Sequence, residues 1–309
     1  MIAPASRCPF PGIHLGIPFS DYHALKAVSN SGTLKKMRRS ALYFDRTRGA
    51  DSPDTADRRI GRAVHTLALE PDQFYARFAV LGKCAGVTKT SGPCRYNASV
   101  IVGGVGYCGT HAPEGVEPDA LDPLSDDQAE RARAMADAVW ADEDAAALLR
   151  RCPLTEVSVV WIDETTGLLC KGRIDRLGES NPISATEFVD LKKSRAAHPD
   201  TFAREMLKMG YHTQLAWYAA GLRANGVADM TPTIVAVNDA TGDDVHEVGV
   251  YPLIVDAMML GHESNQRVLA EYAECVRTGR WPGFGTRPLS VPGWALMANT
   301  DDVDEEVEA

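Results

Sequence analysis

The chain has 309 residues, 45% of them apolar, which suffices for the core of one large domain or two modest ones. No stretch approaches the ~18 to 20 consecutive apolar residues of a membrane span, so we expect no membrane partner. The net charge of −10 argues against nucleic acid only if it is evenly spread, and six acids fall within residues 301–309. We expect that acidic tail to be disordered.

The N-terminal segment 1–19 lacks the basic start and continuous apolar run of a signal peptide, and we therefore expect a cytoplasmic protein. In that compartment the seven cysteines are expected to be thiols or metal ligands rather than disulfides.

The N-terminal part of the chain has the sequence patterns of helices. Residues 20–48 predict helices with an N-cap among Ser29, Asn30 and Ser31, and residues 55–70 predict a second helix that stops before Pro71. The first segment is strongly basic, a pattern compatible with phosphate binding and equally typical of a solvated helix face. Its basic residues are Lys35, Lys36, Arg38, Arg39, Arg46 and Arg48.

Residues 82–122 are rich in Gly, Cys, Thr and Pro and show little periodicity. They contain Cys84, Cys94, Cys108 and His111, a Cys3His set in a segment too long to be an ordinary structureless loop. A closed tetrahedral Zn²⁺ site would stabilise such a segment. The run from Cys84 to Cys94 also resembles small zinc-binding modules of phage proteins. Whether this insertion contacts DNA, docks a partner or is purely structural stays open.

The second half of the chain predicts an α/β core with a central mixed sheet, because strand and helix patterns alternate there. The expected order is helix 125–150, strands 156–163, 168–177 and 185–193, helix 199–224, strands 231–239 and 246–253, and helix 254–279. Ser125 or Asp126 is the expected cap of the first of these helices.

Three charged residues lie on adjacent strands of this core. Asp190 and Lys192 are two residues apart and so point to the same face, and Asp175 lies near the end of the preceding strand. An edge-strand ion pair is the ordinary explanation for Asp190 and Lys192 alone. Two carboxylates beside a backbone carbonyl instead form an oxygen site suited to Mg²⁺ or Mn²⁺. Lys192 would then orient or deprotonate a water, or stabilise charge on a phosphate.

The next helix adds Gln214 and Tyr218, which are four residues apart and share one helix face. Tyr218 alone fits an ordinary core aromatic, whereas a buried amide at Gln214 needs hydrogen-bond partners.

This ordered set resembles the PD-(D/E)xK nuclease superfamily, most closely its RecB-type branch and the phage RecE-like (exonuclease VIII-like) exonucleases. The motifs are an Asp that closes one strand, Asp-Leu-Lys on the next, and Gln-x-x-x-Tyr on the following helix. The run Gly-Arg-x-x-His around His65, the segment 21–44 and the run 281–284 resemble the same group. The resemblance covers most of residues 20–285 apart from the insertion.

The resemblance implies a role for each matching residue. His65, Asp175, Asp190 and the Leu191 carbonyl would hold Mg²⁺, Lys192 would be the catalytic lysine, and Gln214 and Tyr218 would support the site. Glu156 matches a frequent acid of this branch, with a surface strand-end Glu as the alternative. Cys8, Cys152, Cys170 and Cys275 do not match the iron–sulfur pattern of some relatives, so we expect no such cluster. Candidate DNA-binding residues are Lys35, Lys36, Arg38, Arg39 and Arg62.

The resemblance further implies a restriction-endonuclease-like core and a Mg²⁺-dependent exonuclease that degrades linear double-stranded DNA, with 5′–3′ polarity and a ring-like oligomer. Its single-stranded product would serve an annealing recombinase. The alternatives are an endonuclease or CRISPR-adaptation-like end-trimming nuclease, and a catalytically idle DNA-binding scaffold. The expected division is an N-terminal helical region (residues 1–81), a zinc-binding insertion (82–122), a nuclease core (123–285) and a C-terminal segment (286–309).

Overall fold

The structure is a computed structural model that describes residues 10–50, 54–117, 119–179, 185–240 and 245–291. The predicted acidic tail and Cys8 lie outside these residues. The strands are β1 (Gly12–His14), β2 (Phe78–Val80), β3 (Val100–Val102), β4 (Val105–Tyr107), β5 (Asp122–Leu124), β6 (Leu154–Ile162), β7 (Leu169–Leu177), β8 (Thr186–Ser194), β9 (Met230–Asn238) and β10 (Val248–Pro252).

The helices are α1 (Phe19–Ala24), α2 (Lys35–Met37), α3 (Ala41–Thr47), α4 (Ala56–Leu69), α5 (Phe74–Arg77), α6 (Asp126–Ala141), α7 (Glu143–Arg151), α8 (Pro199–Met209), α9 (Tyr211–Ala224) and α10 (Val255–Thr278). A π-helical turn, Asn30–Leu34, leads into α2, and a 3-10 turn, Pro71–Gln73, leads into α5. None of the helices in the described portion of the chain is long and apolar enough to cross a membrane.

A six-stranded sheet in the order β1-β6-β7-β8-β9-β10 forms the centre of the fold. Within this sheet the β8–β9 pair is parallel and the other four pairs are antiparallel. The sheet is therefore mixed, which confirms the predicted fold class.

Helices cover both faces of this sheet, because alternate strand residues are apolar on opposite sides. Phe188 and Ile234 pack in a core with α9 and α10, whereas Val189 and Val235 pack in a second core with α4, α6 and α7. Strand β8 is thus buried on both faces over residues 188–191, and the Asp190 carboxylate lies within that buried run.

The helix predicted over residues 199–224 is wrong as a single element. Gly210 adopts a left-handed conformation with φ 78°, which ends α8 and lets α9 begin at Tyr211. A residue in this conformation closes a helix by satisfying its last carbonyls, and glycine does so without a Cβ penalty. The break gives α9 its own first turn, which carries Tyr211 and Gln214.

The helix predicted over residues 125–150 is also divided, since the side chain of Asp142 accepts a hydrogen bond from the N–H of Ala145 and starts α7. Ser125 caps α6 in a reciprocal pair with Gln128. The basic segment predicted as helix over 20–48 is instead α1, the π-helical turn, α2 and α3, with Ser29 capping that turn and Ser40 capping α3.

The Cys-rich insertion leaves and re-enters the fold at one place. Strands β2 and β5 pair in parallel at its two ends, and the Leu81 N–H donates to the Leu124 carbonyl at 2.7 Å. Within it, β3 and β4 form a hairpin whose turn residues Gly103 and Gly104 both have positive φ. The side chain of Asp119 accepts hydrogen bonds from both turn N–H groups.

Candidate active site

Strands β7 and β8 separate at the site. Each has nine residues, yet they are in register only at Arg176–Val189 and Leu177–Phe188. Beyond those pairs the Asp175 carboxylate takes the place of a backbone partner, and it accepts a 2.8 Å hydrogen bond from the Leu191 N–H. The gap between the two core strands therefore opens onto a carboxylate held at its edge.

His65 and Glu156 converge on Asp175. His65 Nε2 lies 2.9 Å from Asp175 Oδ2, and His65 Nδ1 lies 3.5 Å from Glu156 Oε1. One ligand atom from each of the three residues lies within 4.8 Å of the others. Helix α4 supplies His65 because its apolar residues pack on the same face of the sheet as Val189 and Leu191.

Glu156 is held in a strained conformation. It lies between Thr155 and Val157, which pair with Arg176 and Ile174, so its place in the register is opposite Asp175. Its φ of 50° is unusual for a residue with a side chain and costs about 1 to 2 kcal/mol. Arg173 Nε binds Glu156 Oε2 at 2.8 Å. This backbone departure directs the carboxylate toward His65 and Asp175 instead of along an ordinary strand face.

The site also contains the fully buried Asp190. Its carboxylate forms an ion pair with the Lys192 ammonium and accepts a 3.1 Å hydrogen bond from Gln214 Nε2. Gln214 Nε2 also lies 2.7 Å from the hydroxyl of Tyr218, which is 7% exposed. The ring of Tyr211 lies 5.1 Å from Lys192 Nζ. The predicted Asp190, Lys192, Gln214 and Tyr218 are thus connected in one chain of contacts.

The electrostatics of these groups depend on one another. Desolvation, opposed by Lys192 and reinforced by Asp175, raises the pKa of Asp190 to about 6. Desolvation lowers the pKa of His65, but the Asp175 carboxylate outweighs it and the pKa reaches about 9. For Lys192, desolvation is outweighed by Asp190 and Asp175, and its pKa is raised. At neutral pH His65 and Lys192 are therefore cationic beside carboxylates.

The donors in this cluster fit a hard divalent cation. Carboxylate oxygens are the preferred ligands of Mg²⁺ and Mn²⁺, whereas imidazole is more typical of transition-metal sites. Two acids, Glu156 and Asp175, adjoin His65 here, and a cation that takes His65 as a ligand must displace its proton. Asp190 couples electrostatically to Asp175 from the other side. Its oxygens are engaged by Lys192 and Gln214.

The candidate DNA-binding residues differ in how they are engaged. Lys36 Nζ donates to the Thr47 carbonyl at 2.7 Å, Arg38 bonds Asn265 and Ser264, and Arg39 lies over the Tyr43 ring. Arg62 pairs with Asp54 and Asp122, at 2.8 and 2.9 Å. Desolvation, and then the charge of Lys192, lower the pKa of Lys35.

The Cys3His set of the insertion converges on one point. Cys94 Sγ lies 3.9 Å from Cys108 Sγ, and His111 Nδ1 lies 3.4 Å from Cys108 Sγ and 3.5 Å from Cys84 Sγ. Around a tetrahedral zinc with Zn–S of about 2.3 Å and Zn–N of about 2.0 Å, ligand atoms are ~3.5 to 3.8 Å apart. The observed spacings match that polyhedron.

The surroundings of Cys108 favour its thiolate. Desolvation raises the pKa of Cys108, but the N–H groups of Thr110 and His111 hydrogen-bond its sulfur and bring the pKa to about 6. Gly86 donates its N–H to Cys84 Sγ at 3.3 Å, and a Cβ at Gly86 would come within 2.4 Å of the His111 ring. Cys152, Cys170 and Cys275 are buried elsewhere as separate free thiols.

Sequence reasoning missed Arg173 and its neighbours. On β7, Lys171, Arg173 and Asp175 alternate and so belong to one face. Arg173 binds Glu156, and the Lys171 ammonium bonds backbone carbonyls of residues 22–25. Three charged residues at alternate positions of a core strand could have indicated these contacts from the sequence. Buried charges are costly without partners, so such a pattern predicts a polar cluster on that face.

Comparison with known proteins gives a family and a fold. A family described as a PDDEXK-like domain of unknown function (DUF3799) matches residues 31–286. The crystal structure of a protein from Eubacterium rectale, named "Putative exonuclease", is similar with a TM-score of 0.50 and 14% identity. That likeness covers 93% of this chain and 98% of the other.

The structure of SSO0001 matches 38% of this chain and 49% of its own length, with 15% identity and a TM-score of 0.24. No protein of curated function matches the sequence significantly. The family match confirms the relationship to PD-(D/E)xK domains that the motifs predict.

Proposed function

This chain belongs to the PDDEXK-like family, and on that premise we propose that it is a divalent-metal-dependent deoxyribonuclease that hydrolyses phosphodiester bonds. The observation that carries the proposal is the gap between β7 and β8. There the donors His65, Glu156 and Asp175 adjoin the buried Asp190–Lys192 pair.

The proposed metal ligands are Asp175 and Glu156 with His65, joined by Asp190 and the Leu191 carbonyl on the neighbouring strand. Mg²⁺ or Mn²⁺ bound there would supply an activated water and withdraw charge from the phosphate under attack. The Leu191 N–H keeps the Asp175 carboxylate at the edge of the gap, so this ligand is oriented before substrate arrives.

Lys192 is proposed as the catalytic lysine. Its pKa is raised by Asp190 and Asp175 against desolvation, and as an ammonium it would donate hydrogen bonds to the attacking water or to the phosphate oxygens. Asp190 holds that ammonium, and Gln214 holds Asp190. Tyr218 fixes the Gln214 amide through its hydroxyl, and its burial keeps bulk water from this side of the site.

The finer assignment is an exonuclease of the RecE-like kind. We propose that it acts on ends of linear double-stranded DNA with 5′–3′ polarity and prepares single strands for an annealing recombinase, as a homo-oligomeric ring. The sequence motifs support this assignment, and the likeness to the Eubacterium rectale protein supports the fold on which it rests. Lys35, whose pKa is lowered by desolvation and by the charge of Lys192, is the proposed contact to a substrate phosphate.

Zinc is the proposed structural cofactor of the insertion, held by Cys84, Cys94, Cys108 and His111. We accordingly treat residues 82–122 as a zinc-binding unit inserted between the helical region of residues 1–81 and the nuclease core of residues 123–285.

The deciding assay incubates end-labelled linear duplex, nicked circular duplex and single-stranded DNA with the protein and Mg²⁺. Ordered release of nucleotides from the linear duplex, with the circle intact, is expected. Cutting of the circle would assign an endonuclease, and cutting that is limited to short overhangs would assign an end-trimming nuclease. Absence of cutting with retained DNA binding would assign an idle scaffold.

A further inference from the structure

Helix α1 is exposed although it is firmly attached. None of the residues Phe19–Ala24 is buried, so this short helix is not held by an apolar face. The Lys171 ammonium holds it instead, by donating to the carbonyls of Tyr22 at 2.7 Å, His23 at 3.4 Å and Leu25 at 2.8 Å. The Tyr22 and His23 carbonyls belong to the last turn, which a helix leaves without intrahelical partners, and the Leu25 carbonyl also accepts from the Ala27 N–H.

A second cation fixes the approach to α1. Arg173 donates to the Ile17 carbonyl at 2.8 Å while it pairs with Glu156. The ring of Tyr22 lies over both cations, 4.7 Å from Lys171 Nζ and 5.3 Å from the Arg173 guanidinium carbon. Lys171 and Arg173 share a strand face with Asp175, and four residues of strand span about 13 Å. Arg173 therefore connects the segment before α1 directly to the acidic cluster.

What α1 presents to solvent is aromatic. Phe19 is 66% exposed, and its ring centroid lies 4.1 Å from that of the exposed His23. Desolvation, then the charges of Lys171 and Arg173, lower the pKa of His23, which leaves its ring uncharged at neutral pH. The Phe19 ring thus contacts His23 and is otherwise largely open to solvent.

Resting on the proposed nuclease function, we propose that Phe19 and His23 form a base-stacking platform for a single-stranded nucleic-acid end beside the catalytic cluster. Exposed aromatic rings bind successive unpaired bases in a sequence-tolerant way, since every base has a π face. Because Arg173 joins the segment before α1 to Glu156, a strand end that stacks here lies beside the proposed metal site. The ligand class is an unpaired strand of DNA; a base inside a duplex offers no free face to such a platform.

The test measures binding without cleavage. Single-stranded oligonucleotides with 2-aminopurine at successive positions from each end are titrated with the full chain in the presence of a chelator, and fluorescence and Kd are recorded. Wild type is expected to quench the probe at one or two adjacent positions. Phe19→Leu keeps an apolar side chain but removes the ring, and should lose that quenching and bind about 5- to 150-fold more weakly. Phe19→Trp should retain both.

Tyr75→Ala is the matched control, because Tyr75 is 74% exposed on α5, a separate helix that packs in the core of α4, α6 and α7. It should bind like wild type. If wild type cuts duplex DNA in Mg²⁺ but Phe19→Leu binds and quenches like wild type, the proposed stacking role of Phe19 is wrong while the proposed nuclease function is retained. If wild type neither cuts nor binds DNA, both proposals fall.

Discussion

The Asp175 carboxylate accepts a 2.8 Å hydrogen bond from the backbone N–H of Leu191, across the point where two core strands cease to pair. A side chain thus satisfies a backbone donor that the sheet leaves unpaired. The same contact brings the carboxylate of β7 beside the Asp190–Leu191–Lys192 run of β8. The end of pairing between β7 and β8 thus leaves the Leu191 N–H available to Asp175, and this hydrogen bond orients the carboxylate.

Lys192 and Lys193 are adjacent but should differ in their effect on catalysis. We expect Lys192→Ala to lower Mg²⁺-dependent cleavage of linear duplex DNA about a hundredfold or more, because the charge beside the phosphate is lost. Lys193 pairs instead with Asp57 at 2.6 Å and Asp239 at 2.8 Å. Lys193→Ala should retain the turnover rate. Initial rates at saturating DNA, with circular dichroism melts of both variants, decide the matter; equal activity of the two variants would contradict the assignment.

Glu156 should contribute to cation binding. Glu156→Gln removes a charge from the group that it forms with His65 and Asp175, and we expect affinity for Mn²⁺ to weaken about 10- to 100-fold by isothermal titration calorimetry. Glu187→Gln is the matched control, because Glu187 is also a strand glutamate paired with an arginine, Arg151. Mn²⁺ affinity unchanged in Glu156→Gln would place this carboxylate outside the metal site.

The sequence predicts the residues of the site better than their geometry. Alternation on a strand places Asp190 and Lys192 on one face, and helix periodicity places Gln214 and Tyr218 together; both rest on local backbone repeats. The hydrogen bond from Gln214 to Asp190 joins residues 24 positions apart and arises from packing α9 on the sheet. No local repeat predicts such a contact.

Two features of the fold lie beyond pattern reasoning for physical reasons. Gly210 allows a left-handed helix end but does not require one, so an uninterrupted apolar pattern on both sides of it still predicts one helix. Glu156 adopts a positive φ that glutamate disfavours, and the contacts with His65 and Arg173 hold it there. In both cases tertiary contacts select a conformation that local preference leaves open or opposes.

The ion-pair network of Asp239 should make stability depend on pH. Desolvation raises the pKa of Asp239, but Arg131 and Lys193 lower it below its usual 3.8. A lowered pKa stabilises the fold above that value, and the stabilisation is lost as pH falls through the folded-state pKa. Asp239→Asn should therefore unfold with about 1 to 2 kcal/mol less free energy at pH 7. That difference from wild type should shrink below pH 3.8, as urea titrations at several pH values would show.

Glu274→Gln provides the control for this network, because Glu274 and its partner Arg277 are 59% and 72% exposed. An exposed pair of this kind contributes little, so its removal should leave the free energy of unfolding nearly unchanged at every pH. If the difference in unfolding free energy between wild type and Asp239→Asn stays constant down to about pH 3, the role given to the Asp239 charge is contradicted.

The insertion should depend on its metal for folding. Among its described residues only Cys84, Cys94, Cys108, Ala98 and Ile101 are buried, which is too small an apolar core to hold about forty residues. We expect about one zinc per chain by elemental analysis, and rapid hydrogen exchange confined to residues 82–122 after chelation. Cys94→Ser should lose the zinc, whereas Cys170→Ser, a buried free thiol of the core, should keep it. Wild-type protein that is free of zinc yet protected from exchange in this segment would refute the zinc site.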